Sequence, residues 1–170
     1  MARTETVYPV YMIAGFLDSG KTSFINGILA DGFALEDRTL LLCCEEGEEA
    51  YDPKVLHNVT VVKVEDRETL TPAFLLEQQK KCKATQIIVE YNGMWEIQPF
   101  YETGMPKNWV LYQIIFTVEG PTFDVYSKNI GPLMLEKLRN ADMILINRCD
   151  DDLCAALRRR NLRLINRRAD

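Results

Sequence analysis

Residues 15–22 of the chain read GFLDSGKT. They fit G-x-x-x-x-G-K-[ST], the pattern of a glycine-rich loop whose backbone amides surround phosphate groups. Four fixed positions match by accident in roughly one chain in a hundred of this length. An apolar run precedes the loop and a helical pattern follows it, which is the strand–loop–helix setting that such a loop needs. The sequence therefore predicts a phosphate-binding loop between a first strand and a first helix.

Each fixed position of this loop has a physical task. The two glycines permit backbone geometry that a side chain would block, so successive amides can point at phosphate oxygens. The lysine brings a positive charge to the β- and γ-phosphates, the threonine presents a hydroxyl to Mg²⁺, and the following helix aims its first amides at the anion. The nucleotide-binding residues predicted here are Gly15, Asp18, Ser19, Gly20, Lys21, Thr22 and Ser23.

Apolar runs of strand length alternate with helix-length segments along the chain, which is typical of a parallel α/β sheet. The predicted strands are residues 7–14, 39–44, 59–64, 86–90, 112–118 and 143–146, with a short seventh at 162–165. The predicted helices are residues 21–30, 70–83, 94–102, 132–140 and 151–160. We therefore predict one α/β domain over residues 1–170, a three-layer α/β/α P-loop NTPase domain with a mostly parallel central sheet.

Composition restricts the partners and the compartment. The chain has 170 residues and a net charge of −5, which argues against a nucleic-acid or anionic-membrane surface. No apolar run approaches the roughly 20 residues of a membrane span, and the N-terminus lacks a signal-peptide core. We therefore predict a cytoplasmic protein with no nucleic-acid and no membrane partner. The five cysteines follow no secreted spacing, so most of them are expected to be buried free thiols.

A second candidate segment ends another predicted strand. Residues 87–90 read IIVE, and YNG follows. A carboxylate such as Glu90, at the carboxyl end of a strand beside the phosphate loop, can hold Mg²⁺ through water, and Gly93 can offer its amide to the γ-phosphate. The alternative is an acidic residue that ends a strand next to a turn glycine.

A third segment follows the sixth predicted strand. Residues 147–150 read NRCD and resemble the N-K-x-D base-reading motif of GTPases, with Arg148 in place of the lysine. The carboxylate of Asp150 could accept both the ring N–H and the exocyclic amino group of guanine, a pair of donors that adenine lacks. The alternative is that Asn147 begins a turn and Asp150 caps the next helix.

With these three motifs in order, the chain resembles the CobW-like P-loop GTPases, the CobW/HypB/UreG class. Residues 15–22 are close to that group's GFLGSGKT, and residues 44–52 resemble its N-E-F-G-E-x-G-x-D. The positions that match in the second segment are Glu45, Gly47, Glu48 and Asp52. Residues 90–93 are similar to its E-x-x-G, residues 118–120 to its V-D-A, and residues 164–166 to its L-N-P.

The resemblance implies a Mg²⁺-dependent GTPase that binds GTP and GDP, assists metal or cofactor delivery to a protein client, and can form a homodimer. It implies water attack on the γ-phosphate, which is slow because the sequence offers no arginine finger. It places Glu45 and Asp52 in a mobile switch near the γ-phosphate, and Asn147 with Asp150 at the guanine. The catalytic residues that it implies are Lys21, Glu45, Asp52 and Glu90, and the residues around Mg²⁺ are Thr22, Glu45 and Glu90.

Two departures weaken the metal-delivery role of that class. Its C-x-C-C motif has no counterpart, because residues 64–69 read VEDRET, so the thiolate site for a transition metal is missing from its expected place. Cys43 and Cys44 are adjacent at a strand end and should point to opposite faces, which favours buried thiols. The C-terminal domain usual in that class is also absent from this chain.

Two other functions remain open at this stage. An ATP-dependent kinase or ATPase would use the same phosphate loop. The segment at residues 147–150 argues against it, and so does the lack of an arginine-rich lid, since residues 64–83 contain Arg67 alone. The second is a module that binds nucleotide without hydrolysing it. Hydrolysis could be impaired because larger residues replace the small residues and proline usual around Gly93; they are Tyr91, Asn92, Met94 and Trp95.

Overall fold

The computed structural model describes residues 6–45, 47 and 49–166, with side-chain surroundings up to residue 157 and at residue 159. Its strands are β1 Tyr8–Gly15, β2 Thr39–Cys43, β3 Val59–Lys63, β4 Gln86–Asn92, β5 Trp109–Glu119 and β6 Met143–Asn147. They form one sheet in the order β3-β2-β4-β1-β5-β6, and every neighbouring pair is parallel. The predicted parallel α/β sheet is confirmed.

Five α-helices connect the strands. They are α1 Lys21–Ala30, α2 Pro72–Cys82, α3 Phe123–Asn129, α4 Gly131–Asn140 and α5 Asp151–Asn166. Helix α2 begins where the sequence indicates, because the side chain of Thr71 accepts a hydrogen bond from the amide of Phe74 and Pro72 occupies the first turn, where its missing amide costs nothing. In the part of the chain that the structure describes, no helix is both long and apolar enough to cross a membrane.

Helices cover both faces of the sheet, so the predicted three layers are confirmed. On one face, Ile25 and Leu29 of α1 pack against Ile13, Leu41 and Ile88 of the central strands. On the other face, helices α2, α4 and α5 pack against the strand residues that alternate with the first set, and together they form the larger core. Members of that core include Val10, Met12, Leu40, Leu42, Leu75, Val89, Phe116, Met134, Leu138 and Leu157.

Two predicted elements are wrong. Residues 94–102 do not form an α-helix: a turn follows β4, and a π-helical segment, Phe100–Gly104, comes after it. The side chain of Asn92 accepts from the amide of Met94 at 2.9 Å, and this local bond favours a turn over a helix start. Residues 162–165 form no strand, because helix α5 continues without a breaker to Asn166. Helix α3 was not predicted.

The cysteines also differ from expectation. Cys43 and Cys44 are buried free thiols, as predicted, and Cys82 is free and half-buried. Cys149 and Cys154 instead form a disulfide with their Cα atoms 5.8 Å apart. The turn into α5 brings the two together, because residue 149 precedes the helix and residue 154 lies in its first turns. Burial raises the pKa of the Cys43 thiol, against the effect of a hydrogen bond with Tyr51.

Lys137 of α4 is a fully buried cation that ties this helix to the segment after β4. Its ammonium donates to the carbonyl of Trp95 and lies 3.2 Å from a carboxylate oxygen of Glu136. Truncating one member of a buried pair leaves uncompensated polar groups. We expect Lys137→Ala to lower the free energy of unfolding by about 3 kcal/mol, measured by urea denaturation.

The matched control is Lys81→Ala, which removes the exposed ion pair between Lys81 and Glu77 on α2. Water already solvates both of these charges, so the free energy of unfolding should hardly change. Equal losses in the two variants would show that burial of Lys137 has no special importance.

Candidate nucleotide-binding site

The carboxyl ends of the parallel strands meet at one edge of the sheet, where ligands bind in open α/β folds. A cavity of about 310 Å³ lies there, within the range of small-molecule sites. The residues that line it are Leu17, Asp18, Gly20, Lys21, Thr22, Glu45, Gly47, Glu49, Glu90 and Arg148. Six of these residues were predicted from the sequence: Asp18, Gly20, Lys21, Thr22, Glu45 and Glu90. They follow strands β1 and β2 or lie near the end of β4, and the carboxyl ends of these strands meet at the cavity.

The phosphate loop runs from the end of β1 to the start of α1. Gly20 precedes the helix with φ at +96°, a conformation that side chains other than glycine resist. A buried hydrogen bond connects the loop to the sheet, because the hydroxyls of Ser19 and Thr117 lie 2.6 Å apart. Gly15 ends β1 beside the same Thr117 of β5. Ser23 lies one residue past the cavity, in the first turn of α1.

Lys21 is almost completely buried, with 4% of its surface exposed. Its ammonium donates to the carbonyl oxygens of Gly15 at 2.8 Å and Phe16 at 3.0 Å. It also forms an ion pair with Glu45, whose carboxylate oxygen is 2.5 Å away. The predicted catalytic residues Lys21 and Glu45 are therefore in direct contact.

Thr22 and Glu90 form the second polar centre of the cavity. The Thr22 hydroxyl donates to one oxygen of the Glu90 carboxylate at 2.7 Å, and the hydroxyl of Tyr51 donates to the other oxygen. Burial raises the pKa of Glu90, against the effect of the two hydroxyls and of Lys21. A hydroxyl beside a carboxylate is a donor set of oxygens that suits Mg²⁺. The residues present therefore fit the predicted magnesium site.

Side-chain hydrogen bonds connect the segment after β2 to the first turns of α1. Ser23 donates to Glu49 at 2.9 Å. Asn26 donates to the carbonyl of Ala50 and accepts from the amide of Asp52, both at 3.1 Å. Asp52 does not line the cavity; its carboxylate caps the short helical turn Pro53–Val55. Glu48, which matched the resembled pattern, is outside the described residues.

Gly93 packs against the backbone of the phosphate loop and is not among the residues that line the cavity. A Cβ atom there would come within 2.7 Å of the Cα of Phe16 and 2.8 Å of the carbonyl carbon of Gly15. Any larger residue would therefore push the two backbones apart. The observed task of Gly93 is this close approach, and a contact of its amide with a phosphate stays a prediction.

The segment after β6 docks onto the phosphate loop. The side-chain amide of Asn147 packs against Gly20. Arg148 donates to the carbonyl of Asp18 at 3.3 Å and to the carboxylate of Glu119 at 2.8 Å, and this second bond lowers the pKa of Glu119. Asp150 caps α5 by accepting from the amide of Leu153 at 2.8 Å. The helix-cap alternative is therefore observed, and guanine reading stays a prediction.

Three residues at the site were missed by sequence reasoning. Thr117 and Tyr51 are not fixed positions of any sequence motif. The one signal for Thr117 was its hydroxyl inside the otherwise apolar strand at residues 112–118. Glu119 is the last residue of β5 and was noted only as part of a resembled segment, whereas the structure shows an ion pair between it and Arg148.

A parallel sheet, a glycine-rich loop ahead of a helix and a buried loop lysine together define a P-loop nucleotide-binding domain. The family model of the CobW/HypB/UreG nucleotide-binding domain matches residues 9–169 of the chain. The chain therefore belongs to the CobW/HypB/UreG family, and the predicted membership is confirmed.

Solved structures of P-loop proteins share this fold. The Zn(II)-bound YjiA GTPase from E. coli superimposes with a TM-score of 0.63 at 20% identity, over 93% of this chain and 54% of that chain. The hydrogenase maturation factor HypB from Archaeoglobus fulgidus gives a TM-score of 0.55 at 17% identity, over 84% and 66% respectively. This chain thus spans about half the length of YjiA. No curated protein matches it by sequence.

Proposed function

We propose that the protein binds GTP together with Mg²⁺ and hydrolyses it slowly to GDP and phosphate. The observation that carries this proposal is the cavity itself, which joins a buried loop lysine to a hydroxyl–carboxylate pair. Lys21 would meet the β- and γ-phosphates, while Thr22 and Glu90 would hold Mg²⁺, which neutralises phosphate charge when it is bound. Family membership supports nucleotide as the ligand.

Guanine is the proposed base because the segment at residues 147–150 lies against the phosphate loop. Asn147 touches Gly20, and Arg148 bonds the carbonyl of Asp18. A base attached to a nucleotide in the cavity would extend toward this segment, where the carboxylate of Asp150 retains a second oxygen beside the one that caps α5. That oxygen distinguishes this proposal from an ATP-dependent kinase or ATPase.

A protein client and a homodimer belong to the same proposal and rest on the family alone. The cytoplasm remains the proposed compartment. In the part of the chain that the structure describes, no group of three or more histidine, cysteine or acidic side chains could hold a metal ion. Assistance in metal or cofactor delivery to that client rests on the family alone, and we propose that bound nucleotide controls the docking.

The position of Gly93 favours one second function, a module that binds nucleotide without hydrolysing it. Gly93 is not among the residues that line the cavity, whereas hydrolysis would use its amide at the γ-phosphate. The side chain of Asn92 bonds the carbonyl of Cys44 at 3.3 Å and the amide of Met94, which holds this segment in place.

Incubation of the purified protein with Mg²⁺-GTP tests the two functions. We expect GDP to form at a rate on the order of 10⁻⁴ to 10⁻³ s⁻¹, and excess GTP, but not ATP, to displace a fluorescent GDP. Tight binding with no GDP formation would favour the binding module. Displacement by ATP as efficient as by GTP would contradict guanine recognition.

A further inference from the structure

The ion pair between Lys21 and Glu45 occupies the place that a bound nucleotide needs. The ammonium and the carboxylate oxygen are 2.5 Å apart, and the two side chains are only 4% and 12% exposed. A loop lysine of this kind reaches the β- and γ-phosphates. The carboxylate of Glu45 therefore neutralises the same positive charge that the phosphates would neutralise.

Only one of the partners of Lys21 can leave. An ammonium has three N–H donors, and two of them are directed to the carbonyls of Gly15 and Phe16, which belong to the loop backbone. The remaining close neighbour of the ammonium is the carboxylate of Glu45, a side chain that follows β2. Phosphate oxygens can reach the ammonium only after that side chain has moved away.

The geometry of Glu45 suits a partner that is exchanged. Its Oε2 atom is buried, and among the described residues it is the buried side-chain atom that lacks an aligned hydrogen bond. The contact with Lys21 is therefore held by charge at short distance, without the directional bonds that fix Glu90. Such a contact is lost when a stronger anion competes for the ammonium.

The charges around the cavity oppose a nucleotide that arrives without metal. Four carboxylates line it, from Asp18, Glu45, Glu49 and Glu90, against the two cations Lys21 and Arg148. Once Glu45 is displaced, its charge stays close to those of Glu49, Glu90 and the phosphates. A divalent cation offsets this repulsion, because it is the largest local charge in such a site.

We infer that Glu45 is an internal competitor of the nucleotide phosphates, and that it makes tight nucleotide binding depend on Mg²⁺. This inference rests on the proposed function and assigns Glu45 a part in binding, before any chemistry. When the nucleotide arrives with Mg²⁺, the carboxylate released from Lys21 gains a new cation nearby. When it arrives alone, the ion pair is broken without compensation.

Titration of the purified chain with a fluorescent GDP, in EDTA and in Mg²⁺, tests the inference. Glu45→Gln keeps the size of the side chain and removes its charge. We expect its dissociation constant in EDTA to fall about tenfold, as expected when one competing charge-assisted contact is lost. The ratio of the dissociation constants in EDTA and in Mg²⁺ should fall by about the same factor, and Glu45→Ala should change in the same direction.

The matched control is Glu49→Gln, which removes the same charge from the same cavity. Glu49 accepts from Ser23, so its removal leaves the ion pair of Lys21 in place. It acts only through the general charge of the cavity, which should tighten binding in EDTA by less than about threefold. Unchanged or weaker binding by both Glu45 variants would overturn the inference, and so would equal tightening in the control. If the unmodified chain bound GDP in neither condition, the proposed function itself would fall.

Discussion

Lys21→Ala should abolish tight nucleotide binding, with the dissociation constant for GDP in Mg²⁺ rising by at least about 100-fold, as expected when charged contacts to phosphate are lost. The ammonium is the cation most deeply buried in the cavity, and a charge-assisted contact with phosphate is strong where water is excluded. Two backbone carbonyls hold it at the loop, so no neighbouring cation can take its place. Isothermal titration calorimetry with GDP measures the effect.

The same variant should remain folded. Alanine is a good helix former at the first position of α1, and Glu45 can turn toward the cavity once its partner is gone. Lys54→Ala is the matched control, because this lysine is exposed in the helical turn Pro53–Val55 and lies outside the cavity. Undiminished GDP affinity of Lys21→Ala, with a normal circular dichroism spectrum, would disprove the phosphate-loop assignment.

Asp150→Asn should weaken the binding of GTP about 30-fold, the scale of one lost hydrogen bond to a charged group, and weaken the binding of inosine triphosphate far less. Guanine presents a ring N–H and an amino group to the carboxylate, whereas inosine lacks the amino group, so it has less to lose. Xanthosine triphosphate, which carries an oxygen in place of that amino group, should bind the variant better than it binds the unmodified chain. Competition against a fluorescent GDP measures all three nucleotides.

This substitution separates base reading from helix capping. Asparagine caps a helix about as well as aspartate, so the bond to the amide of Leu153 should persist and stability should hardly change. Asp152→Asn removes the same charge from an exposed position in the first turn of α5. Equal effects of Asp150→Asn on GTP and inosine triphosphate would leave Asp150 with the capping role alone.

Most of the fold follows from local pattern. Each of the six observed strands overlaps an apolar run in the sequence, and α1 has the predicted bounds because the glycine before it and the apolar spacing within it are local signals. The failures come from local competition. At residues 94–102, the side chain of Asn92 makes a turn, and at residues 162–165 helix α5 simply continues through an apolar stretch.

The sequence predicted which motif residues lie at the site, but not which side chains contact one another there. The motif residues Lys21, Thr22 and Glu90 meet in one cavity because parallel strands end together. Spacing could not show that Glu45 pairs with Lys21, since a carboxylate on a segment after β2 can face the loop, the metal position or solvent. Nor could it show that Asp52 turns away to cap a helical turn.

The order of residues along the chain was enough to determine a phosphate loop, a parallel sheet and the family, because each depends on short-range pattern. The pairing of Lys21 with Glu45, of Ser19 with Thr117, and of Arg148 with Glu119 was decided only when distant segments packed together. The physical reason is distance: a charge or a hydroxyl acts over a few ångströms, and only the folded sheet brings such separate segments within that range, in the case of Ser19 and Thr117 from 98 positions apart.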